Sequence, residues 1–236
     1  MLIRPQILAE NLQNVRARIA RAAREHGRNE TSVTLLGVSK GQPLSAIEAA
    51  AQLGLQDFGE NYLQEALPKI AALAGRELTW HFIGQLQSNK TRPVAENFDW
   101  VHTLDRLRTA ERLSAQRPYH AAPLNVCLQI KLADEAGKGG IAAAEAGELV
   151  SAVKALPRLA VRGLMCVPPP AADSGAQRAW FERLRQLLDT LNRNGAGLDT
   201  LSMGMSADLE AAIAAGATIV RIGTALFGER PAGDAK

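Results

Sequence analysis

Short apolar runs alternate with amphipathic segments along almost the whole chain. Residues 7–26 carry apolar side chains at helical spacing and predict an amphipathic helix. From residue 33 onwards, β-rich runs alternate with helical patterns. The predicted strands lie at 33–39, 57–59, 79–84, 100–103, 124–130, 159–167, 198–203 and 218–222. The predicted helices lie at 45–53, 62–73, 88–97, 107–115, 142–156, 177–193, 207–215 and 224–227.

This alternation predicts an α/β protein with one parallel sheet. Eight strand–helix units favour a closed (β/α)8 TIM barrel over an open sheet. The strands are short and apolar, as expected where helices cover a sheet. We therefore expect a single domain over residues 1–236, with an extra N-terminal helix at about 7–26, the barrel at about 33–228 and a short tail at 229–236.

The composition excludes several classes of protein. The 236 residues are 47% hydrophobic and 22% charged, which is typical of a globular domain and excludes a disordered, collagenous or coiled-coil chain. No apolar run approaches the roughly 20 residues that span a bilayer, and the first residues lack a secretory signal pattern, so we expect no membrane partner. Cys127 and Cys166 lie in apolar runs, which predicts buried, reduced thiols in a cytoplasmic protein.

The net charge of +3 is only mildly basic. Aromatic residues make up 4% of the chain and no basic–aromatic module is evident, so we expect no nucleic-acid partner. The clustered basic residues are expected to form a solvated face of the first helix; they are Arg16, Arg18, Arg21 and Arg24.

The candidate chemistry lies where the predicted strands end. Barrel proteins carry their sites at the carboxyl ends of the strands. Lys40 follows the first strand, and Asn61 follows the second. Long loops at 133–140 and 168–175 follow two further strands and belong to the same face of the barrel.

The loops after the last two strands suggest a phosphate site, because such sites favour small residues, backbone N–H groups and helix N-termini. We expect Ser206 to cap the helix at 207–215 and to offer its hydroxyl, while Gly223 and Thr224 open the final short helix. Glycine and serine are also ordinary loop residues, so each element alone is a weak signal.

Lys40 and Arg221 add charge to the same end of the barrel. A lysine amine at a barrel mouth is a candidate for a Schiff base, although most lysines at strand ends are simply solvated. Arg221 interrupts an apolar strand, which predicts either a ligand contact or a structural ion pair. Together with a phosphate cradle, the two residues suggest pyridoxal 5′-phosphate (PLP). His81 and His102 are expected to be hydrogen-bonded strand histidines, and no spacing predicts a metal site.

Six segments carry a resemblance to a known family. They are VSK at 38–40, FGENY at 58–62, WHFIG at 80–84, LQSNK at 86–90, LSMGMS at 201–206 and VRIGT at 220–224. In combination they closely resemble the pyridoxal phosphate homeostasis proteins, and the resemblance covers the chain from the first helix to Gly228. That family shares the barrel of the alanine racemase N-terminal domain and lacks the second, β-rich domain.

The resemblance implies a role for each candidate residue. Lys40 would carry PLP as a Schiff base, and Asn61 would lie beside the cofactor. Arg221 would face the pyridine nitrogen. The phosphate would be held by Ser206, Gly223 and Thr224. The implied function is PLP binding for intracellular vitamin B6 homeostasis and cofactor supply, without required turnover, by a monomer whose further partners are PLP-dependent apo-enzymes.

Two enzyme functions remain as alternatives. A PLP-dependent amino-acid racemase needs a base on each face of the substrate α-carbon. The resembled racemases take their second base from a tyrosine of the second domain, whereas this chain has only Tyr62 and Tyr119; a histidine or thiol of the barrel stays open as the second base. A Schiff-base aldolase is less favoured, because those enzymes carry their lysine late in the barrel.

Overall fold

Eight parallel strands close into a barrel in the order of the sequence, with β1 paired to both β2 and β8. The computed structural model describes residues 3–133, 139–169 and 173–229. The strands are β1 Thr34–Val38, β2 Asp57–Glu60, β3 Thr79–Phe82, β4 Trp100–Leu104, β5 Leu124–Gln129, β6 Leu159–Met165, β7 Thr200–Ser202 and β8 Ile219–Ile222. The TIM barrel predicted from the sequence is confirmed.

Helices surround this barrel. They are α1 Pro5–Glu25, α2 Leu44–Gln52, α3 Leu63–Ala72, α4 Thr91–Asn97, α5 Leu107–Gln116, α6 Ala146–Lys154, α7 Ser174–Arg193, α8 Leu209–Ala214 and α9 Thr224–Phe227. Short 3-10 turns occur at Glu30–Ser32, Ser88–Lys90 and Ala143–Glu145. β1, β3, β5, β6 and β7 end before the predicted carboxyl end, because the apolar pattern continues into the loops of the mouth, whereas β2 and β4 each run one residue further than predicted and β8 ends as predicted. The predicted tail and the loops at 133–140 and 168–175 lie wholly or partly outside the described residues.

The apolar core lies between the outer face of the strands and the helices. Phe58, Phe98 and Phe181 are fully buried there. Helix α1 packs against α2, α8 and α9, and its buried stripe includes Leu8 and Leu12. The extra helix therefore covers the side of the barrel where the last strand meets the first.

Within the described helices, none has the length and apolar character needed to cross a bilayer. Cys127 and Cys166 are both buried and form no disulfide, which confirms the prediction of buried, reduced thiols.

Candidate functional site

The turn after β1 holds Lys40 at the carboxyl end of the barrel. Ser39 is fully buried, and its backbone N–H donates to the carbonyl of Gly59 on the next strand at 3.0 Å. Gly41 has φ +68°, a conformation that favours glycine, and its N–H donates to Oε2 of Glu65 at 2.8 Å. The backbone on both sides of Lys40 is therefore fixed, and its side chain is half-buried at the mouth.

A buried ion pair lies directly behind this turn. Lys69 donates from Nζ to Oε1 of Glu60 at 2.8 Å and to the carbonyl of Ser39 at 3.0 Å. The Ser39 hydroxyl donates to the same Glu60 oxygen at 2.7 Å. Burial raises the pKa of Glu60, while the charge and hydrogen bonds of Lys69 and Ser39 act in the opposite direction. The pair anchors the turn that carries Lys40.

Asn61 follows β2 and has an unsatisfied side chain. Its Oδ1 is buried, and no donor within the described residues reaches it. Gly84 packs so closely on Asn61 that a Cβ there would collide with the Asn61 carbonyl. Asn61 lines a cleft of about 440 Å³ together with Tyr62 and Lys90. A buried amide oxygen without a partner costs free energy, so this atom indicates a missing ligand or solvent contact.

The predicted capping role of Ser206 is wrong. Helix α8 begins at Leu209, because residues 205–208 form a turn in which Oδ1 of Asp208 accepts from the N–H of Met205 at 2.5 Å. The Ser206 hydroxyl oxygen instead accepts a hydrogen bond from the N–H of Ala225 at 3.3 Å. This contact joins the loop after β7 to the first turn of α9.

Gly223 and Thr224 lie beside the turn that carries Lys40. Gly223 connects β8 to α9, and Thr224 is the first residue of α9. A Cβ at Gly223 would lie 3.5 Å from the Cβ of Val38, which is ordinary contact. Val38 precedes Lys40 by two residues, so the predicted phosphate residues and the predicted Schiff-base lysine lie on neighbouring strand ends.

Helix α1 braces these loops from outside. Arg18 donates from Nε to Oε1 of Glu210 at 2.7 Å and from Nη2 to the carbonyl of Ser206 at 3.1 Å. Asn11 donates to the carbonyl of Leu226 at 3.0 Å. The Arg18 hydrogen bond lowers the pKa of Glu210. The prediction of a merely solvated arginine face is therefore wrong for Arg18, whose long-range partners were not visible in a local pattern.

Arg221 is a buried cation on β8, with 6% of its surface exposed. Its Nη1 donates to the Ser202 hydroxyl at 2.8 Å, and its Nη2 donates to the carbonyl of Cys166 at 2.9 Å. Burial lowers the pKa of the guanidinium, but arginine keeps its charge in proteins. Within the described residues, no carboxylate lies within 4.0 Å of it, so a direct structural ion pair is not seen there.

A line of hydrogen bonds continues from Ser202 across the barrel interior. The Ser202 hydroxyl lies 2.7 Å from Nδ1 of His102, whose Nε2 lies 2.9 Å from Nδ1 of His81. Nε2 of His81 lies 3.0 Å from Oδ1 of Asp57. Strands β4 and β7 are not neighbours, so the bond from His102 to Ser202 has to cross the inside of the barrel. The prediction that His81 and His102 are hydrogen-bonded strand histidines is confirmed.

The two thiols are chemically quiet. Burial raises the pKa of Cys127 and of Cys166 to about 12, with the nearby Arg221 charge opposing the shift. A thiol in this state is not a proton acceptor near neutral pH. Across the described part of the chain, no group of three histidine, cysteine or acidic side chains could hold a metal ion.

The structure places all of the predicted site residues at one side of the barrel mouth. They belong to the ends of β7, β8, β1 and β2, which follow one another around the sheet; the residues are Lys40, Asn61, Ser206, Arg221, Gly223 and Thr224. Sequence reasoning missed the supporting residues Lys69 and Arg18. Lys69 left no signal because a lysine on an amphipathic helix is normally solvated.

A family model for the alanine racemase N-terminal domain matches residues 10–231. The match assigns the protein to the class of barrels that form the N-terminal domain of alanine racemases. The chain is 59% identical to the pyridoxal phosphate homeostasis protein of Pseudomonas aeruginosa, over 96% of this chain and 97% of that protein. It is 52% identical to the protein of the same name from Escherichia coli K12, over 94% of this chain and 97% of that one. The chain belongs to the pyridoxal phosphate homeostasis protein family.

Solved structures agree with this assignment. PipY from Synechococcus elongatus PCC7942, determined with PLP bound, superposes with a TM-score of 0.83 at 37% identity, over 94% of this chain and 100% of that chain. Alanine racemase from Clostridium difficile 630 superposes with a TM-score of 0.76 at 15% identity, over 97% of this chain and 58% of that chain. The second likeness shows the shared barrel fold alone.

Proposed function

We propose that this protein binds PLP for cofactor homeostasis and supply, and that Lys40 holds the cofactor as a Schiff base. The observation that carries the proposal is the position of Lys40 on a fixed turn, with Asn61 on one side and the joined loops of Ser206 and Gly223 on the other. A PLP-bound relative at 37% identity and the names of the high-identity relatives support it.

The polar side chains of the site fit an anionic aldehyde that carries a phosphate. Asn61 has a buried oxygen that lacks a partner in the described chain, and Arg221 is a buried cation without a direct carboxylate neighbour there. The Ser206 and Thr224 hydroxyls lie on two loops that meet. Such a set provides one amine for covalent attachment, hydroxyl donors for a phosphate and one fixed positive charge for the ring.

Attachment to Lys40 is a condensation. The uncharged ε-amine adds to the aldehyde carbon, and loss of one water leaves a carbon–nitrogen double bond. When bound, PLP supplies an electron-accepting ring. The chain's own residues do the remaining work: Gly41 and Ser39 hold the lysine turn, and the Glu60–Lys69 pair keeps a second ammonium group engaged behind it.

The proposed phosphate contacts come from Ser206, Gly223 and Thr224. The Ser206 hydroxyl can donate to a phosphate oxygen while still accepting from Ala225, because a hydroxyl carries both functions. Gly223 presents no side chain, so a phosphate can approach the backbone closely. We propose that Arg221 donates to the pyridine nitrogen; since it can only donate, it would hold that nitrogen unprotonated and keep the bound cofactor unreactive.

The strand histidines, the thiols and Tyr119 are poorly suited to act as a second base, which favours binding over racemisation, while Tyr62 lines the cleft beside Asn61 and is the residue that the turnover test addresses. Within the described chain, both strand histidines are bonded to each other and both thiols are buried with a raised pKa. Tyr119 is 91% exposed and precedes β5, at the end of the barrel away from Lys40. Turnover measurements with purified protein and several amino acids test the racemase alternative, and sustained racemisation would establish it.

The central experiment is a visible absorption spectrum before and after borohydride reduction, followed by peptide mapping. We expect an imine band from PLP-loaded protein and a reduced label on Lys40. Lys40→Ala should abolish the band while circular dichroism stays native, because the side chain lies at the mouth. Lys131→Ala, which removes another mouth lysine, is the matched control and should keep the band. A label on any other lysine would overturn the assignment.

A second experiment tests the phosphate contacts. The double variant Ser206→Ala/Thr224→Ala should weaken PLP about a hundredfold or more, since hydrogen bonds to charged groups contribute about 1.5–3 kcal/mol each and two are removed. Pyridoxal, which lacks the phosphate, should lose little affinity. Fluorescence titrations with both ligands give the comparison. Equal losses for the two ligands would place the phosphate elsewhere.

We further propose that PLP-dependent apo-enzymes receive the cofactor and that the protein acts as a monomer. Mixing PLP-loaded protein with an apo-enzyme, with and without a dialysis membrane between them, tests whether transfer needs contact. Light scattering of the loaded protein gives its mass in solution, and a mass of two chains would contradict the monomer.

A further inference from the structure

The hydrogen bonds inside the barrel all run the same way, from donor to acceptor, and the Asp57 end sets that direction. A guanidinium only donates hydrogen bonds, and a carboxylate only accepts them. Arg221 donates to the Ser202 oxygen, which leaves the Ser202 hydroxyl proton available for Nδ1 of His102. At the other end, Asp57 accepts from Nε2 of His81.

For neutral imidazoles, the Asp57 end determines both tautomers. His81 carries its proton on Nε2, facing Asp57, so its Nδ1 accepts from Nε2 of His102. Nδ1 of His102 then accepts the Ser202 proton. Every bond from Arg221 to Asp57 then has one donor and one acceptor. The neutral state of His102 agrees with its pKa, which burial first and the charge of Arg221 in addition hold well below the usual value.

The aromatic neighbours keep the rings in place. Trp100 stacks on His81 with 5.5 Å between ring centroids and an angle of 9°. The same indole lies 5.8 Å from the ring of His102. The Arg162 guanidinium covers the indole at 5.6 Å from its centroid. Rotation of either imidazole would break this packing, so the ring nitrogens are held in line.

The line also answers an electrostatic question. Burying a charge is costly unless a counter-charge or good hydrogen bonds offset the lost hydration. The described partners of Arg221 are a hydroxyl and a carbonyl, which are neutral. Linked hydrogen bonds polarise one another in a low-dielectric interior. Asp57, the first residue of β2, lies at the amino end of the barrel and ends the line with a negative charge.

We propose that Asp57, His81, His102 and Ser202 are positioning residues for Arg221. They form a one-directional hydrogen-bond line that fixes the guanidinium and ends in the carboxylate of Asp57; the charge of Asp208 also acts on Arg221, without a direct contact. The consequence for PLP affinity rests on the proposed contact between Arg221 and the cofactor ring. The direction of the line does not depend on that contact.

The first test uses ligand-free protein. Long-range proton–nitrogen correlation spectra distinguish the two neutral tautomers and the cation of histidine. At neutral pH we expect two of the four histidines to be neutral with the proton on Nε2, and His81→Phe and His102→Phe assign their signals. A proton on Nδ1 of His102, or a charged ring there, would overturn the proposal.

The second test uses PLP titrations of variants. Ser202→Ala removes the hydroxyl beside Arg221 and should weaken PLP about tenfold, while Ser202→Thr keeps a hydroxyl and should restore most of the affinity. Asp57→Asn lies at the far end and should weaken PLP about threefold, with a shifted absorption maximum. Asp189→Asn makes the same charge change on the exposed face of α7, outside the line, and should change neither.

The outcomes separate this proposal from the proposed function. If wild-type protein fails to bind PLP, the function falls, but the tautomer spectra still decide the direction of the line. If PLP binds and Asp57→Asn behaves like Asp189→Asn in both affinity and spectrum, the positioning role falls while PLP binding stands. Should Ser202→Ala fail to fold, the Asp57→Asn titration alone decides.

Discussion

Two of the buried cations, Lys69 and Arg221, lie near the mouth of the barrel and are neutralised in different ways; a third, Arg117, lies at the end of α5. Lys69, with 10% of its side chain exposed, bonds directly to the fully buried carboxylate of Glu60 at 2.8 Å. Arg221 bonds to a hydroxyl and a carbonyl, and three side chains separate it from the carboxylate of Asp57. Lys69 lies behind the Lys40 turn, and Arg221 lies where it is proposed to contact the ring nitrogen of the cofactor.

The difference distinguishes a structural charge from one kept for a ligand. Glu60 neutralises the charge of Lys69 directly, so Lys69 contributes to the stability of the fold and to the position of Lys40. The positive charge of Arg221 remains available to a ligand at the mouth, because its described hydrogen-bond partners are neutral. Arg117 is also buried and donates only to backbone carbonyls, so it is the position at the mouth, together with the absence of a contacting carboxylate among the described residues, that indicates a functional role for Arg221. Removing Lys69 and removing Arg221 should therefore affect stability and ligand affinity in opposite proportions.

The largest expected effect is on stability at the Glu60–Lys69 pair. Lys69→Met leaves a buried carboxylate without its cation and should lower the free energy of unfolding by about 3–5 kcal/mol. Urea unfolding monitored by circular dichroism measures the loss. The double variant Lys69→Met/Glu60→Gln removes the stranded charge and should recover most of it. A double variant as unstable as Lys69→Met would contradict the ion-pair explanation.

The same loss should depend on pH. In Lys69→Met the pKa of Glu60 in the folded state is raised by burial with only the Ser39 hydrogen bond left to oppose the rise, so the folded state binds the proton more tightly than the unfolded state. The stability deficit should be small below about pH 4.3, the ordinary glutamate value, and should grow as the pH rises above it. Unfolding free energies of wild type and variant at several pH values test the sign; a deficit that grows towards acid would refute it.

Replacing Arg221 should change the free energy of unfolding little and PLP affinity strongly. Arg221→Leu removes two hydrogen bonds together with the cost of burying the cation, and should lower the free energy of unfolding by only about 1 kcal/mol. PLP affinity should fall by about tenfold or more, because a charge-assisted contact is lost. Urea unfolding and PLP titration on the same preparation give both quantities. A large stability loss with unchanged affinity would make Arg221 a structural residue like Lys69.

The smallest expected effect concerns the brace from α1. Arg18→Ala removes a half-exposed ion pair with Glu210 and should cost less than about 1 kcal/mol of stability. It also removes a donor from the Ser206 carbonyl, so PLP should be weakened slightly more than pyridoxal. Arg24→Ala, which removes an exposed ion pair between α1 and Glu30 in the 3-10 turn that follows, is the control. Equal effects of the two variants would show that the brace does not support the phosphate loops.

The fold could be predicted because its signals are local and repeated. Each strand is an apolar run and each helix has a periodic stripe, so eight weak signals add up to one topology. The strand ends were less predictable, since the apolar pattern extends past the last ladder bond, as at residues 166–167 after β6. Residues with unusual character for their element, such as Arg221 in an apolar strand, also stood out.

The rest of the site could not be predicted because it depends on contacts between distant residues. Ser206 looked like a helix cap, but its hydroxyl is used by Ala225, which is 19 residues away. Arg18 and Glu210 are separated by 192 residues. His81 and His102 were recognisable as polar strand residues, but their order in a line through Ser202 follows only from closure of the barrel.

The contact from Asn11 to Leu226 spans 215 residues and has a consequence during synthesis. A ribosome releases the Asn11 segment long before it makes β8 and α9, so the proposed phosphate cradle does not exist while most of the chain is already outside. Contacts between segments so far apart in sequence form late in folding, after the entropy of closing the loop between them has been overcome. A nascent chain that ends before Thr224 has its lysine but lacks half of its cradle. On the proposed site, tight PLP binding therefore requires the completed barrel, and a chain that ends before Thr224 is expected to bind PLP more weakly.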